Sequence, residues 1–209
     1  MSSKEVSLKN SRLYLILDTE VADYSRLLAL AQKAAWGGVD IVQLRDKNGS
    51  AKDILRFSKS LLRILKGKIP YIMNDRVDLA LAAKAQGVHL GQDDLDIGCA
   101  RKLMGKKAII GASCQTLQAA RKAEAQGADY IGFGSVFKTF TKPNRAPMDL
   151  DVLQEVVSKI KIPVFPIGGI NRENIRDLLH RGVRRAAVCR VILQSQNAGL
   201  AARTLADLL

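Results

Sequence analysis

At 209 residues and 47% apolar content the chain can fill one sizeable core, and no apolar run in it approaches the roughly 20 residues that cross a bilayer. Its 33 Lys and Arg against 20 Asp and Glu give a net charge of +13. The cations are dispersed, as in Arg56, Lys59, Arg63, Lys66 and Lys68, and aromatic residues are few, so solvated helix faces and discrete anion sites are expected and a nucleic-acid surface is not. Cys99, Cys114 and Cys189 lie far apart with no Cys-x-x-Cys pair, which excludes a disulfide framework or zinc knuckle. The polar start, residues 1–11, lacks the apolar segment of a secretion signal, so a cytoplasmic location is expected.

Short, continuously apolar runs alternate with longer amphipathic segments along the whole sequence. The first predicted strand, 13–17, is followed by a helix over 25–36. Strand 41–44 precedes helix 51–66, strand 69–73 precedes helix 77–85, and strand 87–90 precedes helix 97–103. Strands 108–112 and 130–134 are followed by helices 117–126 and 150–160. Strands 164–167 and 186–189 precede helices 172–181 and 191–208. Apolarity on both faces is what a parallel strand covered by helices requires. Gly37-Gly38, Gly87, Gly127 and Gly182 each follow a helix and are expected to cap it. Eight strands alternating with eight helices predict an α/β fold, a (β/α)₈ TIM barrel, with 1–209 as a single domain behind a short polar extension, 1–11.

In such a barrel chemistry gathers at the C-terminal strand ends, and the polar clusters of this chain fall there. Asp75 follows strand three and Asp94 follows strand four. Two carboxylates on neighbouring strand ends, without His or Cys partners, suit Mg²⁺ keeping several waters; the alternative is that Asp75 pairs with Arg76 or caps the next helix, and that Asp94 also caps one. Arg45 and Lys47 follow strand two, and Lys142 lies on the irregular segment 138–149 after strand six, a candidate active-site loop. Gly168-Gly169 after strand seven and Cys189-Arg190 after strand eight form a candidate backbone anion site. Two anion regions and a metal imply two phosphorylated substrates, one carrying a diphosphate leaving group. No nucleic-acid or membrane partner is expected, and homo-oligomerisation is left open. His89 sits inside strand four and is read as a satisfied core or rim histidine. Ser113 is read as a substrate contact and not a nucleophile, because Gln115 beside it is no base.

Several motifs, in order, resemble the thiamine phosphate synthase family: Gln43-Leu44-Arg45-Asp46-Lys47, Asn74-Asp75-Arg76-Val77-Asp78-Leu79-Ala80, Gly87-Val88-His89-Leu90-Gly91-Gln92-Asp93-Asp94, Gly111-Ala112-Ser113, Thr139-Phe140-Thr141-Lys142-Pro143 and Ile167-Gly168-Gly169-Ile170. The resemblance implies a transferase that joins a hydroxymethylpyrimidine diphosphate to a thiazole phosphate by a dissociative route. It assigns Gln43, Arg45, Lys47, Asn74, Ser113 and Lys142 to the pyrimidine diphosphate, with Ser113, Arg45 and Lys142 in catalytic positions. Asp75 and Asp94 would ligate Mg²⁺, and Thr139, Thr141, Gly169, Cys189 and Arg190 would hold the thiazole phosphate. Arg190 stands where the family usually has Ser, Gln115 where it has His, Lys138 where Pro is common, and Met148-Asp149 where Leu-Gly is common. Rival readings are a thiazole tautomerase on the same fold, which need not hold a diphosphate, and a non-catalytic barrel that binds thiamine phosphate.

Overall fold

The computed structural model describes residues 8–139 and 146–209. Its strands are β1 (Leu13–Asp18), β2 (Ile41–Arg45), β3 (Tyr71–Asn74), β4 (Gly87–Leu90), β5 (Ile109–Cys114), β6 (Tyr130–Phe133), β7 (Val164–Pro166) and β8 (Ala186–Val188). The helices are α1 (Tyr24–Trp36), α2 (Ala51–Leu65), α3 (Val77–Ala83), α4 (Ile97–Met104), α5 (Leu117–Ala125), α6 (Leu150–Lys159), α7 (Ile175–His180), α8 (Arg190–Leu193) and α9 (Ala198–Leu208). All strand pairs are parallel, in the order β7-β6-β5-β4-β3-β2-β1-β8. Among the described residues the circle is completed by one parallel bridge between Ile167 and Ala187.

Alternation along each strand sorts the core into two compartments. Leu13, Leu15, Leu17, Val42, Leu44, Met73, Val88, Ile110, Ile131 and Val164 face the helices and join their apolar sides. Tyr14, Ile16, Ile41, Ile72, Ile109, Tyr130, Phe165 and Ala187 face inward and fill the lumen. Leu8 joins this inner cluster, and both it and Ser11 are buried. Residues 8–11, placed by sequence in a polar extension, therefore belong to the fold. Close strand approach accounts for two glycines: a Cβ on Gly87 would lie 2.1 Å from the Ile109 carbonyl oxygen, and one on Gly111 would lie 2.0 Å from Tyr130 Cζ.

The elements follow the sequence pattern apart from shifts of one to three residues at their ends, and some of the differences bear on the site. Strands β1, β2, β3 and β5 run on to Asp18, Arg45, Asn74 and Cys114. The last predicted helix is two helices, because Asn197 starts α9 anew by accepting a hydrogen bond from the Leu200 N–H at 3.0 Å. Gly87 lies within β4 and is not a helix cap; α3 is closed instead by Lys84 in the left-handed region, φ 57°.

Candidate active site

Asp18 and Arg45 are register partners at the ends of β1 and β2. Asp18 is 1% exposed, and both of its oxygens accept from Arg45 Nη1, at 3.0 and 2.9 Å. Glu20 Oε1 lies 3.2 Å from the same nitrogen. Burial alone would make the guanidinium easier to deprotonate, but the carboxylates beside it more than offset that and raise its pKa. Arg45 is thus a fixed cation at the barrel mouth, oriented by two acids that the sequence reading did not single out. Their one sequence signal is Asp18 itself, an acid continuing the Tyr14, Ile16 side of an apolar strand.

The turn after β2 is built around Asp46. Its Oδ1 accepts from the Asn48 and Gly49 N–H groups at 3.1 and 2.7 Å, and its Oδ2 accepts from the Tyr24 hydroxyl. Burial opposes the charge on Asp46, yet these donors hold its carboxyl below the usual range. The turn presents Lys47, whose ammonium contacts Asp75 Oδ2. Gln43 is buried one alternation below Arg45. Asn74 is half-buried at the end of β3 and pairs in register with His89.

Asp75 has φ 60°, a left-handed conformation that costs a non-glycine residue roughly 1–3 kcal/mol. Its N–H donates to the His89 carbonyl at 2.8 Å, which turns its carboxylate toward Asp94. Asp94 Oδ2 accepts from the Gly91 N–H at 2.6 Å. Burial, then contact with the Asp75 carboxyl, push the Asp94 pKa up. Neither capping alternative is realised. Arg76 pairs with Asp78, at 2.8 and 2.5 Å; α3 has no side-chain cap; and Asp96, not Asp94, caps α4. Two oxygen ligands that disfavour each other's charge are a donor set suited to a hard divalent cation completed by water. Among the described residues no group of three or more His, Cys, Asp or Glu gathers.

Ser113, on the lumen side of β5, is bonded to His89 Nε2 at 2.9 Å, and His89 Nδ1 to the Tyr130 hydroxyl at 3.0 Å. Gln92 Nε2 donates to the Ser113 carbonyl at 2.5 Å. Ser113 therefore does have an imidazole neighbour, so the premise drawn from Gln115, that no base lies beside it, does not hold. The partner sits 24 residues away on the adjacent strand, where local sequence inspection finds nothing.

Across the mouth, the segment after β6 runs beside Gly168-Gly169. Val136 N–H donates to the Ile167 carbonyl at 2.9 Å, and Phe137 N–H to the Gly168 carbonyl at 3.0 Å. Gly168 and Gly169 have φ 104° and 65°, and a Cβ on Gly169 would meet the Lys138 carbonyl oxygen at 2.2 Å. Thr139 follows directly on this segment. Thr141 and Lys142 lie outside the described residues. Cys189 precedes the single turn α8, and Arg190 Nε is buried with no hydrogen-bond partner. Among the described residues no carboxylate pairs with Arg190.

The fold and the rim together define a parallel (β/α)₈ barrel whose strand ends carry anchored cations, paired carboxylates and a glycine turn. The sequence profile of the family described as Thiamine monophosphate synthase matches residues 13–192. A thiamine-phosphate synthase of Clostridium novyi is 40% identical over 95% of this chain and 98% of its own, and one from Persephonella marina is 40% identical over 88% and 89%. A thiamine phosphate pyrophosphorylase of Pyrococcus furiosus, 34% identical, superposes with a TM-score of 0.86 over 98% of this chain and 96% of its own. The chain belongs to the thiamine monophosphate synthase family. It is a biosynthetic transferase acting in thiamine phosphate formation. Among the described residues no helix is long and apolar enough to cross a membrane.

Proposed function

We propose that the protein condenses 4-amino-2-methyl-5-hydroxymethylpyrimidine diphosphate with 4-methyl-5-hydroxyethylthiazole phosphate, or its carboxylated form, releasing diphosphate. The observation that carries this reading is the facing Asp75 and Asp94 pair with Lys47 against it. Such a cluster suits a metal-bound diphosphate, whose charge the cation and Lys47 would share. Asp75 and Asp94 would hold Mg²⁺, which, when bound, neutralises charge that builds on a departing diphosphate.

The side chains then act by position and charge. Lys47 and Arg45 bind the diphosphate oxygens, and Asp18 and Glu20 keep Arg45 from swinging away. Asn74, Gln43 and Ser113 orient the pyrimidine over the lumen. Bond cleavage leaves a pyrimidine-methyl cation, which the thiazole nitrogen captures. No side chain need form a covalent bond. By the family resemblance Lys142 adds a further cation, and Thr139, Thr141, Gly169, Cys189 and Arg190 hold the thiazole phosphate.

Incubation of the purified protein with both substrates and Mg²⁺ tests the reading. Thiamine phosphate and diphosphate should appear in equal amounts. Conversion of the thiazole phosphate alone, without coupling, would instead mark a tautomerase.

The unpartnered Arg190 Nε adds a specific expectation. If Arg190 donates to the thiazole phosphate, Arg190→Ala raises KM for that substrate about tenfold, the size of one lost charge-assisted hydrogen bond. KM for the pyrimidine diphosphate hardly moves. Equal changes in both KM values would show that Arg190 has a structural role.

A further inference from the structure

The opposite end of the barrel carries a second gathering of charge. Arg12 directly precedes β1, and Arg184-Arg185 directly precede β8, so all three stand at the N-terminal rim. With Lys9 and Asn10 they line a cavity of about 300 Å³. The backbone around it is tied down. Leu8 is packed into the inner cluster, the Ser11 N–H donates to the Leu8 carbonyl at 3.3 Å, and Arg185 Nη2 donates to the Lys9 carbonyl at 2.7 Å.

In a barrel of this kind the N-terminal rim ordinarily serves stability, and this cluster works against it. Among the described residues Lys9, Arg12, Arg184 and Arg185 pair with no carboxylate. The acid bonded into the rim, Asp40, has one oxygen committed to the Arg12 and Leu13 N–H groups, at 2.7 and 2.9 Å. Arg185 is half-buried, and its Nε is buried with no hydrogen-bond partner. Burial, then the Arg12 charge, lower the Arg185 pKa, as expected of a guanidinium desolvated beside a like charge. Four cations around one concave space focus positive potential into it. Folding gains nothing from that repulsion, whereas a bound anion would gain charge-assisted contacts from several sides.

We propose that this cavity is an anion site, separate from the catalytic rim, that takes a diphosphate group, either free or carried on a nucleotide. Arginine forks and a compact ammonium match phosphate oxygens, and four cations suit the several charges of a diphosphate better than the one charge of a carboxylate. Binding there needs neither metal nor turnover, so the site stands or falls apart from the reaction proposed above.

Equilibrium dialysis of labelled inorganic pyrophosphate at low salt, with chelator present, tests the site, because any Mg²⁺-dependent binding at Asp75 and Asp94 is then silenced. The unaltered protein should bind with Kd of about 1 mM or tighter. Lys47→Ala, altered at the catalytic rim, should bind equally well. Arg12→Gln combined with Arg184→Gln, both exposed positions, should bind about tenfold more weakly, the loss expected of two exposed charged contacts. No binding by the unaltered protein, or binding lost in Lys47→Ala and kept in the double variant, overturns the proposal. Titration with ADP then identifies the source: tighter binding than pyrophosphate marks a nucleotide, and equal or weaker binding marks the free anion. A single-stranded oligonucleotide that binds more tightly than either would make this rim a nucleic-acid surface and overturn the small-anion assignment.

Melting of the ligand-free protein gives an arm that needs no ligand. Arg12→Gln should melt at a higher temperature than the unaltered protein at low salt, and the difference should shrink as salt screens the repulsion. A lower melting temperature at low salt would remove the unbalanced charge on which the proposal stands and overturn it.

Discussion

Replacing Asp94 by Asn should lower turnover by a factor on the order of a hundred or more while raising the melting temperature of the metal-free protein. The two effects have one origin. Asp94 is partly buried against Asp75, and both facts make its charged form costly, so its pKa rises on folding. An acid whose folded pKa is raised binds more protons in the native state, so its contribution to stability is lost as pH climbs through that pKa. At neutral pH the folded protein holds a carboxylate whose charge is opposed by burial and by Asp75. Asparagine keeps an acceptor for the Gly91 N–H and removes the charge. Asp75→Asn should cost similar activity, and asparagine tolerates the left-handed backbone at φ 60°. Thermal melts with and without Mg²⁺ check the stability arm, and Mg²⁺ should stabilise the unaltered protein far more than either variant. Full activity in excess chelator would reject the metal assignment.

The second large effect is structural. Gly111→Ala should destabilise the protein by about 3 kcal/mol or more, the upper end of what overpacking costs. The added methyl would sit 2.0 Å from Tyr130 Cζ and 2.4 Å from its hydroxyl oxygen. Gly111 and Tyr130 are register partners on adjacent strands, so the backbones cannot separate without breaking the ladder. Nor can the ring withdraw, since it is buried against Tyr14 and Phe165 and bonded at its hydroxyl to two neighbours. Urea unfolding measures the loss. In a Tyr130→Ala background, which removes the obstructing ring, the same change should cost much less. A loss under about 1 kcal/mol in the unaltered background would mean that the strands shift to make room.

The strands were legible because both faces of a parallel barrel strand are dry along most of its length, so apolar runs mark them. That signal fails at the rim, where the lumen is polar. Asp18, Arg45 and Asn74 continue their ladders, but each looks like the end of a strand to any reading based on apolarity. The split between α8 and α9 was hidden because apolar spacing resumes after residues 194–197, and only the Asn197 cap marks the break. In the site, individual residues at strand ends could be named from sequence. Their pairings could not: Asp18 with Arg45 and His89 with Ser113 depend on cross-strand register, which no local pattern encodes.

The bridge between Ile167 and Ala187 makes the barrel a ring with a clasp. Gly168-Gly169 continues from one half of that clasp and Cys189 from the other. An anion gripped by both halves would stand in for ladder hydrogen bonds that the seam lacks. Occupancy and closure would then be thermodynamically linked, each favouring the other, and the empty protein should open first along this line.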